Sequence, residues 1–349
     1  LKIAVGLSGG VDSSVAAYLL KKQGHDIIGV RMNLFPEGQN TDEDDAQKVA
    51  DYLGIPFHTI SLEKEYREKV IGYMKSEYLS GRTPNPCIIC NRYIKFGLFL
   101  HKVFEAGLDF DMFATGHYAM LSKDESTGRY CLRKGLHSDK DQAYFLSILT
   151  QEQLSKILFP LGEMEKSDVK KIADQAGLFT AGKKESQDLC SGDYRKYISP
   201  DESGPGNFVD RDGRILGRHK GIENYTIGQR RGLGLSSPGE PYYVVGLDGD
   251  SGNVIIGYNS DLLSSSMTVG EINWGALEKP DLPLKVQAKI RYRDEGVEAV
   301  IREKTGEDRY LVEFSKERRA VTPGQLAVFY DKDLVLGAAF IEASDISGN

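Results

Sequence analysis

Ile3-Ala4-Val5-Gly6-Leu7 runs directly into Ser8-Gly9-Gly10-Val11-Asp12-Ser13, and the reading of this stretch decides the fold. The first half is an apolar run of strand length, too short for a core helix. The second half is a glycine-rich bend that opens a helical pattern over residues 13–23. Such a bend turns backbone N–H groups and the positive end of a helix toward one point, where an anion such as phosphate is stabilised. Glycine lets the ligand come close, Ser8 and Ser13 bring hydroxyl donors, and Asp12 can orient a magnesium ion. The run lacks the Lys-Ser/Thr ending of the Walker loop and the G-x-G-x-x-G spacing of dinucleotide folds, so neither of those sites is expected. A bare strand-to-helix turn capped by Asp12 is the alternative.

Outward from this point, short apolar runs alternate with helical patterns: Ile27-Ile28-Gly29-Val30, then residues 42–53, then Phe110-Asp111-Met112-Phe113-Ala114-Thr115. That alternation predicts βαβ units and a parallel sheet covered by helices. Gly116-His117 would then lie at a strand's carboxyl end, where open α/β sheets bind ligands. The grammar changes near residue 195. Glycine-rich turns such as Asp248-Gly249-Asp250-Ser251-Gly252 separate β-prone segments, among them Tyr242-Tyr243-Val244-Val245 and Asn253-Val254-Ile255-Ile256. Further strand-like runs cover residues 284–292, 296–301, 310–314, 325–330 and 334–341. The expected architecture is an α/β domain over 1–194, a small central domain over 195–268 and a β-barrel over 269–349.

At 349 residues with 40% apolar composition, the chain can bury several cores. The formal charge of -7 excludes a coat of positive charge but not a basic channel for nucleic acid. No apolar stretch reaches membrane-spanning length and the first residues do not read as a secretory signal, so a cytoplasmic protein is expected. Cys87, Cys90, Cys131 and Cys190 do not make a dense disulfide framework. In a reducing compartment, clustered thiols serve chemistry or metals more often than structure.

The Ser8–Ser13 run resembles the PP-loop of the ATP pyrophosphatase superfamily, whose members adenylate an oxygen and release pyrophosphate. Gly81-Arg82-Thr83-Pro84-Asn85-Pro86-Cys87-Ile88-Ile89-Cys90-Asn91 and Ile94-Lys95-Phe96 narrow this likeness to the bacterial tRNA-specific 2-thiouridylases, the MnmA family. Ala114-Thr115-Gly116-His117-Tyr118, Lys140-Asp141-Gln142, Lys184-Glu185-Ser186-Gln187-Asp188-Leu189-Cys190, Tyr225-Thr226-Ile227-Gly228-Gln229-Arg230-Arg231-Gly232-Leu233 and Arg291-Tyr292 extend it through all three expected domains. The resemblance implies an adenine-nucleotide α-hydrolase-like domain, a small central domain and a β-barrel. It implies that Gly6, Leu7, Ser8, Gly9, Gly10, Val11, Asp12 and Ser13, the backbone of Met32, and Gly116 hold ATP with magnesium. It places Asn85, Pro86 and Cys87 on the target base and Lys140, Asp141, Gln142, Arg291 and Tyr292 on tRNA. Physically, Lys140 and Arg291 can neutralise phosphate, Gln142 can bond a base edge and Tyr292 offers a stacking face.

The same resemblance makes Cys190 the persulfide-bearing cysteine and Cys90 the second catalytic cysteine, with Asp12 at the nucleotide. A sulfur-donor or sulfur-relay protein, or inorganic sulfide, is the implied source of sulfur. Lys183, Lys184 and Arg195 stand near Cys190 in sequence and can favour its thiolate. Cys131, between Tyr130 and Leu132, reads as a small buried hydrophobe. His117 reads as packing and hydrogen bonding or as a site residue. Cys87 departs from the family, whose best-known members carry aspartate there. With Cys90 and Cys190 it makes a three-thiol set able to hold a 4Fe-4S cluster with one iron open. A zinc site and an extra thiol without a metal are the alternatives.

Overall fold

The computed structural model describes residues 1–36, 43–183, 194–199, 201–237, 239–306 and 308–345. Its first part carries β1 (Lys2–Gly6), β2 (Asp26–Asn33), β3 (Phe57–Ser61), β4 (Met112–Ala114), β5 (Ala119–Lys123), β6 (Tyr130–Lys134) and β7 (Ile157–Leu158). Five of these form a sheet in the order β3-β2-β1-β4-β7, with every pairing parallel. The chain steps from β1 toward β3 on one side and then from β4 to β7 on the other. The switch point therefore lies between β1 and β4, where such sheets bind ligands.

Alternation along β1 explains why both faces are covered. Ile3, Val5 and Leu7 enter one core with helices α1 (Val11–Lys22) and α2 (Glu43–Leu53), while Ala4 enters the other. In α1, Val15, Ala16 and Ala17 are fully buried, and their small size lets the helix close down on the sheet. Burial of a side chain such as Val15 contributes roughly 1.5–3 kcal/mol. The strand expected over 110–115 is shorter, because Phe110 turns aside to stack on Phe104 at 4.4 Å between ring centroids.

The central sheet comprises β8 (Gly206–Val209), β9 (Ile215–His219), β10 (Tyr243–Asp248) and β11 (Asn253–Gly257), in the order β10-β11-β8-β9. The last part comprises β12 (Leu263–Val269), β13 (Asn273–Trp274), β14 (Leu284–Lys289), β15 (Val297–Lys304), β16 (Tyr310–Arg319), β17 (Leu326–Asp331) and β18 (Leu334–Ser344). Antiparallel pairing runs β12-β16-β15-β14-β17-β18 and closes through β12–β18, which makes the barrel. Two features differ from the sequence reading. Strand β12 falls mostly before residue 269 yet belongs to the barrel, since it pairs with both β16 and β18. The β5–β6 hairpin of the first part joins the barrel sheet through β6 and β18, at Leu334 opposite Arg133.

The join is more than one ladder. Leu326, Val328, Tyr330, Val335 and Ala338 of the barrel share a core with Ile94, Phe96, Phe113 and Tyr144. Arg291 and Tyr292, expected at the end of a strand, lie beyond β14 in a turn. There the Asp294 carboxylate accepts the Ile290 N–H at 3.1 Å and takes the Arg318 guanidinium. No helix among the described residues is long and apolar enough to cross a membrane.

Candidate active site

Strand β1 ends at Gly6, and the bend that follows is fixed by its own side chains. The Ser8 N–H donates to Ser13 Oγ at 3.2 Å, the two hydroxyls lie 3.1 Å apart, and Ser13 Oγ donates to the Gly10 carbonyl at 3.1 Å. Gly9 takes φ +77°, a conformation that side chains resist, and Gly10 caps α1 with no side-chain bond to the first-turn amides. The helix end carries roughly half a positive charge at this point.

The far wall is the loop after β4. A Cβ placed on Gly116 would stand 2.7 Å from both the Asp12 carbonyl carbon and the Ser13 nitrogen. Only glycine permits that approach, and it ties the β4 loop to the first turn of α1.

Met32 lies on the other side of β1. Gly29 donates to Pro56 and Asn33 accepts from Leu62, so alternate residues of β2 bond toward β3. Val30 bonds toward β1 by accepting from Leu7. Met32, two residues on, directs its N–H and C=O the same way, past the end of β1 and over the mouth of the crevice.

Asp12 shows an arrangement absent from the sequence reading. Its carboxylate accepts from Lys166 Nζ at 2.6 and 2.7 Å and from the Tyr118 hydroxyl at 2.7 Å. The Lys166 ammonium also lies 5.7 Å from the Tyr118 ring centroid. Sequence separation hides these partners. The one local signal is a lysine opening a helix (Lys166–Gln175), where a cation opposes the dipole.

His117 follows Gly116. Its Nδ1 is hydrogen-bonded to Thr115 Oγ1 at 2.6 Å, and its ring packs on Phe96 and Phe159. Desolvation, helped by the Lys95 charge, holds its pKa well below the ordinary 6.5. As pH falls through that ordinary value the unfolded chain takes up a proton that the native ring refuses, so the native state loses stability on the acid side. The His117 imidazole resonances, assigned by comparison with His117→Asn, are expected to stay fixed between about pH 6 and 8. A titration in that interval would show the ring to be solvated.

The segment around Asn85, Pro86 and Cys87, expected on the target base, is held between the first part and the barrel. The Thr83 N–H donates to the Pro323 carbonyl at 2.9 Å, and Gln325 Nε2 donates to the carbonyls of Thr83 at 3.0 Å and Pro84 at 3.2 Å. Asn85 then caps a helical turn, Pro86–Ile89, which continues into Cys90–Leu98, wound with i→i+5 bonds. Such winding is frequent at functional sites. Gln153 Nε2 satisfies the Arg92 and Phe96 carbonyls at 2.7 and 3.0 Å. Cys87 is half-buried and Cys90 buried, three residues apart and so on one helical face. Phe96 of this stretch reaches His117, while Asn91, next to Cys90, donates to the Phe145 carbonyl at 3.0 Å. Tyr292 lies 4.6 Å from the Phe145 ring, which brings the barrel turn to the cysteine helix.

Other expected residues are placed differently. The Asp141 side chain is 6% exposed and accepts the Gly135 and Ala143 N–H groups, each at 3.0 Å; burial pushes its pKa up. It closes a turn. Gln142 Oε1 accepts the Tyr118 N–H at 2.9 Å, so that oxygen serves the fold. Lys140 is half-buried in a short helical turn, Ser138–Lys140. Arg291 is exposed and donates to the Arg319 carbonyl at 2.8 Å.

Beside Arg319 lies the loop 228–234, whose three glycines take positive φ. A Cβ on Gly228 would meet Ala320 at 3.0 Å, which fixes the loop to the barrel. Arg230 and Arg231 are exposed on it, as Arg291 is on its own turn. Two arginines between glycines are a signal for anion contact in the sequence itself, although neither Arg230 nor Arg231 is among the residues expected on tRNA.

Cys190 lies outside the described residues, as does Lys184, and the side chain of Arg195 is likewise not described. Lys183 pairs with Asp45 and lies over Phe179. Cys131 is buried and its thiol pKa is raised, chiefly by burial, as suits an inert residue. Among the described residues no group of three or more His, Cys, Asp or Glu is placed to hold a metal; Cys87 and Cys90 supply two of the three expected thiols.

A phosphate cradle at the switch point of a parallel sheet, with a backbone edge beside it, defines a nucleotide-binding α/β protein. Residues 1–191 match the family model described as a tRNA methyl transferase HUP domain, 195–258 the corresponding PRC-barrel domain, and 264–341 an aminomethyltransferase β-barrel domain. The tRNA-specific 2-thiouridylase MnmA 2 of Thermoanaerobacter sp. (strain X514) is 48% identical over 98% of this chain and 98% of its own length. The MnmA of Clostridioides difficile (strain 630) is 44% identical at the same coverage of both. The NMN synthetase of Francisella tularensis overlaps 55% of this chain and 68% of its own, at 19% identity and a TM-score of 0.35. The chain belongs to the tRNA-specific 2-thiouridylase (MnmA) family.

Proposed function

We propose that this protein is a cytoplasmic tRNA-uridine 2-sulfurtransferase, which adenylates the C2 oxygen of the wobble uridine with ATP and replaces that oxygen by sulfur. The observation that carries the reading is the juxtaposition of the Gly6–Ser13 cradle, through Gly116, His117 and Phe96, with the helix that bears Cys87 and Cys90. A nucleotide and a sulfur-bearing residue must both reach one base, and this arrangement serves that need. Residues 1–194 would be the catalytic part, and the central domain from residue 195 and the barrel, which begins with β12 at Leu263, the parts that carry tRNA.

In this reading the backbone of Met32 receives adenine, and the amides of the cradle receive the phosphates. Asp12 orients magnesium. Asn85, Pro86 and Cys87 meet the target base, held at the right depth by Gln325. Lys140, Arg291, Arg230 and Arg231 neutralise tRNA phosphates, and Tyr292 stacks.

Attack of O2 on the α-phosphorus breaks the bond to the β-phosphate, and pyrophosphate leaves with the electron pair. The terminal sulfur of a Cys190 persulfide, loaded by a sulfur-donor protein or by sulfide with an oxidant, attacks C2, and AMP departs with the former oxygen. Cys90 thiolate then attacks the Cys190 sulfur, leaving 2-thiouridine and a Cys90–Cys190 disulfide that a thiol reductant must reopen. A 4Fe-4S cluster on Cys87, Cys90 and Cys190 would instead supply an open iron that holds sulfide.

The test is pyrophosphate release from Mg–ATP. Transfer RNA carrying the wobble uridine is expected to stimulate it at least about tenfold, the scale of one well-made catalytic contact. Stimulation by an amino acid in its place would mark a small-molecule ligase. No release with either would leave an RNA-binding module.

A further inference from the structure

The Asp12 carboxylate sits in the first turn of α1, among the amides of the cradle, and Lys166 grips both of its oxygens. That ammonium comes from the first residue of the helix Lys166–Gln175, which packs against α1. A cation at a helix N-terminus opposes the dipole, and the side chain, 12% exposed, has given up most of its hydration. An ion pair alone gives little return for that arrangement, because desolvation offsets the attraction. The other feature at this place is the phosphate cradle, where an incoming polyphosphate needs cations and meets a carboxylate.

We propose that Lys166 is a phosphate-binding residue of the ATP site. Without nucleotide it neutralises Asp12; when Mg–ATP enters, the carboxylate turns to the metal and the ammonium to the β- and γ-phosphate oxygens. The Tyr118 hydroxyl keeps Asp12 in place during the exchange. The inference rests on the ATP-site reading above. As the bond from uridine O2 to the α-phosphorus forms and the bond to the bridging oxygen breaks, negative charge grows on the departing pyrophosphate. Lys166 faces that charge in a poorly hydrated place, where its effect is large.

Binding of AMP and of magnesium pyrophosphate to the full chain, measured by calorimetry, tests this. Lys166→Gln is expected to weaken pyrophosphate binding about tenfold or more, the size of one charge-assisted contact, and AMP binding less than about twofold. Lys166→Arg is expected to recover most of the loss. The same comparison in an Asp12→Asn background separates direct from indirect action, and the selective loss is expected to persist there. Equal weakening of both ligands, no weakening, or disappearance of the effect with Asp12→Asn would overturn the proposal. Should Lys166→Gln fail to fold, acylation of Lys166 in the wild type reads the same contact, and protection by AMP equal to that by pyrophosphate would overturn it. Failure of the wild type to bind either ligand removes the ATP reading itself, a result distinct from all of these.

Discussion

Gly116→Ala is expected to reduce tRNA-dependent pyrophosphate release on the order of 100-fold. The added Cβ would lie 2.7 Å from the Asp12 carbonyl carbon and the Ser13 nitrogen, and 2.9 Å from the Asp12 Cβ. Two of these are backbone atoms of the helix turn that forms the cradle, so no rotamer change relieves the contact. The first turn of α1 must move, and the donors aimed at phosphate move with it. Overpacking of this kind also destabilises by about 1–3 kcal/mol, which a thermal melt reads. Gly204→Ala is the control, because nothing lies within 4 Å of a Cβ at that position. A Gly116→Ala protein that keeps wild-type release would show that the β4 loop does not set the cradle.

That prediction also marks the border of what the sequence makes legible. The strand, bend and helix of residues 3–23 follow from local rules of period and turn chemistry, and the structure has them in place. Gly116 can be read as site-lining from its position after a strand, but the reason it must be glycine lies in Asp12 and Ser13, far away in sequence. Asp12 itself reads as a metal ligand, because a lone acidic residue in a glycine-rich loop gives no hint of Lys166 and Tyr118 folding onto it. Asp141 and Gln142 show the same gap from the other side. As a Lys-Asp-Gln run they look like a polar contact surface, yet burial turns the carboxylate inward to cap a turn and the amide oxygen onto Tyr118. Polar residues declare their chemistry in sequence and their direction only in the packed chain. The barrel boundary was displaced for a related reason: β12 reads as one more β-prone run, and only its pairing with β16 and β18 assigns it to the barrel.

The cysteine helix carries the other large effect. Cys90→Ser is expected to abolish 2-thiouridine formation, a loss on the order of 1000-fold or more as for removal of other nucleophiles, while leaving tRNA-stimulated pyrophosphate release intact. The separation follows from the fold. Cys90 is buried on a helical stretch that meets the nucleotide site through Phe96 and His117, so an oxygen in place of its sulfur leaves the cradle untouched. Both sulfur routes need Cys90, as resolving thiolate or as ligand, and Cys87 tells them apart. Its side chain shares the helical face of Cys90 and is half-buried, which suits a second ligand, and serine there would remove a soft thiolate from iron. On the cluster route Cys87→Ser is therefore expected to lose bound iron, its visible and EPR signals, and thiolation, even with inorganic sulfide supplied, while pyrophosphate release continues. Anaerobically reconstituted wild type and the single serine variants of Cys87, Cys90 and Cys190 are the proteins to compare. Full thiolation by Cys87→Ser, or by iron-free wild type, would sink the cluster. The Cys90–Cys190 disulfide would then accumulate after one turnover without reductant, and the persulfide route would stand.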